Sequence, residues 1–177
     1  MRLSIRFAAF ILAALALALP AAAQDEAQIF NAFAYIGANG TVVKSADKQL
    51  QVVAALAGPF FIETDEGPVE SGLVVCAASM KIDQETAGTS GSGACTFSAQ
   101  DGATAWGDWQ CEGYELVGCR GILKLTGGTA RMAGVTGEGA MIWRPNVQSL
   151  KKQLEGINLQ NVTGLILWRD FKLTQKK

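Results

Sequence analysis

Glycine punctuates this chain from end to end. It has 20 glycines against 4 prolines, and short alternating or continuous apolar runs lie between the glycines. Glycine is poor inside helices and common at turns, so the pattern predicts strands joined by tight connections. The runs are Gln51 to Ile62, read as a strand interrupted at Gly58-Pro59, then Gly72 to Asp83, Ala94 to Ala99, Thr104 to Gly113, Gly118 to Thr126, Gly137 to Arg144 and Val162 to Thr174. Ile29 to Ala38 reads equally as helix or strand, and Val147 to Glu155 as a short helix or polar loop. No linker divides the chain. Roughly seven or eight strands in about 150 residues predict an all-β fold, a single antiparallel barrel or sandwich.

The N-terminus has the three parts of a secretory signal. Arg2 and Arg6 form a basic front, Phe7 to Leu19 is an unbroken apolar run, and Pro20 precedes the small residues Ala21-Ala22-Ala23. Residues 1–23 are therefore expected to be a cleavable signal peptide and residues 24–177 a single domain, periplasmic or secreted. The apolar run is shorter than the ~20 residues that span a bilayer. No cysteine lies near the expected cleavage site to take a lipid, and no later segment is long and apolar enough to cross a membrane as a helix.

Without Arg2 and Arg6 the charge is slightly acidic and unclustered, apart from Lys151-Lys152 and Lys176-Lys177. That is not the footprint of a nucleic-acid binder. Histidine is absent, which removes Ser-His-Asp and Cys-His machinery and every histidine metal site. Any general acid or base must be Asp, Glu, Lys, Tyr or Cys.

An even number of cysteines in an exported chain argues for disulfides. Cys76, Cys95, Cys111 and Cys119 lack the close pairs of structural zinc sites, so two bridges and no metal are expected. Alternate side chains of a strand share a face. Cys95 then shares a face with Phe97, Cys111 with Trp109, and Cys76 with Val74, Met80 and Ile82, while Trp106 has the opposite parity to Trp109. A hairpin turning around Asp101-Gly102-Ala103 sets Cys95 opposite Cys111 and Phe97 opposite Trp109. A return around Glu115 sets Cys119 opposite Cys111. All four cysteines can then lie on one inner face of a meander. Cys111–Cys119 with Cys76–Cys95 is the favoured pairing, because the first closes a short loop. Cys95–Cys111 with Cys76–Cys119 stays open. Each bridge is expected to add roughly 2–4 kcal/mol.

The segment Thr126 to Gly139, TGGTARMAGVTGEG, is no phosphate-binding loop. It lacks Gly-Lys-Ser/Thr leading into a helix and runs instead into the apolar stretch Ala140 to Trp143. A turn at Gly127-Gly128 and a bend from Gly134 to Gly139 are expected. The segment resembles the GGTGxFxGxxG signature of the allene oxide cyclase/dirigent-like barrel superfamily, with Ala130 where the family usually has glycine and Met132 where it usually has an aromatic. Upstream, Gly93-Ala94-Cys95, Asp101-Gly102 and Trp109-Gln110-Cys111-Glu112-Gly113 resemble a GxC…DGD…WxCxG pattern of exported bacterial members, with Ala103 in place of an acid. The resemblance implies an eight-stranded antiparallel barrel with an apolar lumen, assembled as a homo-oligomer. It carries over no catalytic residue and no cofactor.

Phe97, Trp109, Trp143 and Trp168 are the candidates to line a lumen that binds an apolar small molecule, with ordinary core filling as the competing role. An eight-stranded barrel is just wide enough for either. Glu138, between two glycines, is the one candidate acid or base if it points inward; otherwise it is a solvated bend residue. Asp101, Asp108, Glu112 and Glu115 fit no calcium loop. Before Arg144 and Arg169 stand Trp143 and Trp168, and tryptophan inward with arginine outward is the simplest arrangement. The leading expectation is a non-catalytic binder of an apolar molecule or an envelope-associated protein. The alternatives are an isomerase or cyclase working by steric guidance, and an interaction module with an exposed aromatic surface.

Overall fold

A computed structural model describes residues 27–175; the expected signal peptide, residues 1–23, lies outside the described residues. The alternation runs through eight strands: β1 (Gln28–Ala46), β2 (Gln49–Thr64), β3 (Gly67–Asp83), β4 (Gly88–Ala99), β5 (Thr104–Tyr114), β6 (Gly118–Gly128), β7 (Val135–Pro145) and β8 (Asn158–Gln175). Each pairs antiparallel with the next, and β8 pairs with β1 to close the barrel. Strand β5 shows the period of two most plainly. Ala105, Gly107, Trp109 and Cys111 are buried, while Trp106, Asp108, Gln110 and Glu112 are exposed.

The disulfides are Cys76–Cys95 and Cys111–Cys119. Cys76 and Cys95 are direct cross-strand partners with Cα atoms 4.0 Å apart. The second bridge is diagonal, because Cys111 sits opposite Gly121 and Cys119 opposite Gly113. A Cβ at Gly121 would come within 2.6 Å of the Cys111 Cα, so glycine there lets the two backbones close up beside the bridge. All four cysteines face the interior.

Several local expectations are corrected. Strand β2 runs unbroken through Gly58-Pro59, because the β1–β2 ladder skips this stretch: no pairs lie between Ala34↔Phe60 and Gly37↔Ala57. Proline, which has no N–H, is tolerated at such a gap. Strand β4 starts at Gly88 rather than Ala94, through the Thr-Ser-Gly-Ser-Gly stretch. The β4–β5 hairpin pairs Cys95 with Gly107 and Phe97 with Ala105, four residues from the expected register. Trp109 therefore lies opposite Gly93. A Cβ at Gly93 would sit 2.9 Å from the Trp109 Nε1, so the indole occupies the space that glycine leaves. Gly127 and Gly128 belong to β6, and the turn falls later, over a single helical turn at Ala130–Met132.

One end of the barrel is closed. Helix α1 (Val147–Leu154) links β7 to β8, and the side chain of Asn146 caps its start by accepting from the Ser149 N–H at 3.1 Å. Leu150 is buried under it. The half of the barrel nearest α1 is solid. Leu56, Met80, Trp109, Met141, Trp143 and Ile166 surround the disulfides and leave a void of only about 20 Å³, room for about one water.

The turn after β6 places Ala130 at φ +50°, in the left-handed region that glycine tolerates and alanine does not. This is the position where the resembled signature has glycine. Ala130→Gly is expected to raise stability by about 0.5–1 kcal/mol, read as a higher midpoint in chemical denaturation. An unchanged or lower midpoint contradicts it.

Candidate functional site

The opposite end of the barrel is open and hollow. A cavity of about 720 Å³ occupies the lumen at the end that carries the first residues of β1 and the last of β8, and it is lined by side chains of seven strands. Its walls are aromatic. Phe60 meets Phe97 edge-on with ring centroids 5.6 Å apart, Phe97 meets Trp168 edge-on at 5.3 Å, and Phe30 lies against Phe171 at 5.4 Å. Edge-to-face contacts of this kind hold rings in fixed orientations. Leu123, Leu125 and the small residues Ala32, Ala99 and Ala105 complete the lining, and Met132 stands at the mouth.

A β-bulge makes this wall possible. Simple alternation along β8 would turn Phe171 outward from Trp168. Instead the β1–β8 register slips between Phe30/Ala32, and Asp170 takes φ +49°. Trp168 and Phe171 both become buried. The Asn31 side chain stabilises the bulge, its Oδ1 accepting from the Asp170 N–H at 2.9 Å. Asn39 does the same for a second bulge, accepting from the Asn161 N–H at 3.0 Å. On the neighbouring strand, β7 makes room with glycine: a Cβ at Gly139 would lie 2.6 Å from Phe171 Cδ2 and 2.8 Å from its Cα. Asn31→Ala is expected to cost about 1 kcal/mol of stability and to weaken ligand binding by freeing the Phe171 ring. Denaturation and binding titration of this variant check both. Wild-type values in both would remove the bulge from the account.

Few polar groups reach the cavity. Gln28, Ser71, Arg131 and Gln175 ring its mouth. The Arg131 guanidinium pairs with Asp101 on the adjacent turn at the barrel mouth. Gln175 Nε2 donates to the Arg131 carbonyl, which ties the turn to the end of β8. Hydrogen bonds from Arg131 and from the Ala103 N–H hold the Asp101 carboxyl below its usual range, and the Arg131 guanidinium is pushed up in turn. The pair is thus ionised at neutral pH. Deeper in, the lining is apolar, and no carboxylate lines the cavity among the described residues.

The four aromatic candidates are divided by the structure. Phe97 and Trp168 line the open cavity. Trp109 and Trp143 do not; they fill the closed half beside the disulfides, because the shifted β4–β5 register moves Trp109 toward α1. Glu138 is exposed on the outer face of β7, between Lys124 and Lys172 on the neighbouring strands, not in the lumen and not at a bend. Trp106 faces outward, as its parity predicts. Arg169 also faces outward, pairing with Glu63 at 3.0 Å. Asp101, Asp108, Glu112 and Glu115 form no metal-binding group among the described residues. Phe30, Phe60, Leu123, Leu125 and Phe171 were not among the sequence candidates. Parity of β6 marks Leu123 and Leu125 as inward, but nothing local marks Phe171, whose orientation depends on the bulge. Comparisons of the chain with protein-family models, with curated proteins and with solved structures return no match.

Proposed function

We propose that this chain is an exported small barrel that binds an apolar small molecule in the open half of its lumen. The observation that carries the reading is the cavity itself. At about 720 Å³ it lies within the range of small-molecule sites. Its lining is aromatic and aliphatic, with polar groups only at the mouth. An aromatic wall fixed by edge-to-face contacts is arranged before any ligand arrives, which lowers the ordering cost of binding. The lining offers shape and apolar contact but no acid or base, which favours holding a molecule over proton-transfer chemistry. The two disulfides agree with an oxidising, extracytoplasmic location. A closed eight-stranded antiparallel barrel is also what the resemblance to allene oxide cyclase/dirigent-like barrels implies.

Native mass spectrometry of the protein purified from its own host tests this. The expected result is a non-covalent adduct of one apolar molecule per chain, released on denaturation. A bare polypeptide mass, with no adduct gained after incubation with host lipid extract, would sink the proposal.

A further inference from the structure

The outside of the barrel has two unlike sides. Outward side chains of β4 and β5 are mostly polar, with Ser90, Ser92, Asp108, Gln110 and Glu112 exposed. On the other side, β8, β1, β2 and β3 present Leu165, Tyr35, Val53, Leu73 and Val75, each between 41% and 55% exposed. Strand pairing makes these one surface. Leu165 lies opposite Tyr35, Pro59 opposite Leu73, and Ala57 opposite Val75. The alanines between them, Ala55, Ala57 and Ala77, are exposed as well. An exposed apolar face running across four strands marks a contact surface, and a stable interface buries about 800 Å² per partner. A lipid-facing barrel would be apolar all the way round. This one is not, so the face suits a protein partner rather than a bilayer.

The charges at its ends indicate which protein. Strand β3 carries Glu70 at the open end of the barrel and Lys81 toward the closed end, with Leu73, Val75 and Ala77 between. Both face outward, Glu70 opposite Phe61 and Lys81 opposite Gln51. Neither belongs to an ion pair among the described residues. Val75 lies about midway. A two-fold axis through Val75 therefore sets Glu70 of each copy beside Lys81 of the other and buries the apolar strip between them. Such a contact is self-complementary, as a two-fold interface requires. We propose that the outer face of β8–β1–β2–β3 is a homodimer interface, with a second copy of this chain packed antiparallel on it. The face lies outside the lumen, so the proposal stands apart from the ligand reading.

Sedimentation equilibrium of the purified protein from roughly 1 to 100 μM tests it through mass action. The wild type is expected to weigh as a dimer. Val75→Arg is expected to weigh as a monomer with an unchanged circular dichroism spectrum. Glu70→Lys and Lys81→Glu should each weaken dimerisation at least tenfold, and the double charge reversal should restore it; these exposed positions keep the test decisive if Val75→Arg misfolds. A wild type that stays monomeric, alone or bound to phospholipid vesicles, would overturn the proposal. So would charge reversals whose effects add instead of cancelling.

Discussion

Reduction of both disulfides is expected to unfold this protein at 37 °C. The bridges span sequence separations of 19 and 8 residues. Restriction of the unfolded chain by loops of these lengths is worth about 3.3 and about 2.6 kcal/mol. Together that is about 6 kcal/mol, against a total stability of about 5–15 kcal/mol for a domain of this kind. The loss is compounded by position. All four sulfurs lie in the solid half of the barrel, against Trp109, Met80 and Trp143, where four separate thiols need more room than two bridges. Thermal melts followed by circular dichroism, with and without reductant, check the expectation. Replacing Cys111 and Cys119 together by serine should lower stability by at least about 2.5 kcal/mol, with the barrel still folded at 25 °C. A reduced protein that keeps its oxidised midpoint would mean that strand pairing alone holds the barrel. The demand for bridges agrees with the export expected from the N-terminus, since cytoplasmic thiols are kept reduced.

Ala105→Trp is expected to abolish the proposed binding of apolar ligands while leaving the barrel intact. Ala105 is buried on the inner face of β5 and lines the open cavity, opposite Phe97 on β4 and Gly128 on β6. An indole at this position grows into empty lumen rather than into backbone, so the overpacking cost stays within about 1–3 kcal/mol. It competes directly for the volume between Phe97 and Leu123. Saturable binding of an uncharged naphthylamine fluorophore is expected to weaken at least 100-fold, with the melting midpoint lowered by no more than about 10 °C. A variant that binds like the wild type would move the site out of the lumen. The same substitution at a position in the closed half is expected to unfold the protein, because the voids there measure only about 20 and 40 Å³.

How much of this was legible depends on what local pattern can encode. Parity survives any register slip by an even number of residues. Reading alternate residues therefore placed the cysteines, Trp109 and Trp168 inside and Trp106 outside, although the β4–β5 hairpin pairs four residues away from the simplest fold-back. The slip itself is a packing outcome. Trp109 seats over Gly91 and Gly93, and that fit involves residues on two strands. It also explains why β4 starts at Gly88 rather than at the expected Ala94. The division of the lumen into a solid and a hollow half follows from this register and from helix α1, so the candidate aromatics could not be sorted from sequence. Phe171 was out of reach for another reason. Its inward turn requires the bulge at Asp170, which is held by Asn31 from the far end of the chain. Glu138 does not point into the lumen, because β7 continues as a strand through Gly137 and Gly139 and alternation turns the carboxylate outward.

The most direct measurement of the central claim is a set of intermolecular nuclear Overhauser effects between the bound fluorophore and the methyl groups of the labelled protein. The account predicts cross-peaks to Leu123, Leu125 and Met132, which line the open cavity. It predicts none to Met80 and Met141 in the solid half, nor to Val53 and Val75 on the outer face. Cross-peaks confined to Val53 and Val75, with the lumen methyls silent, would place binding on the outer face and contradict a ligand-holding lumen.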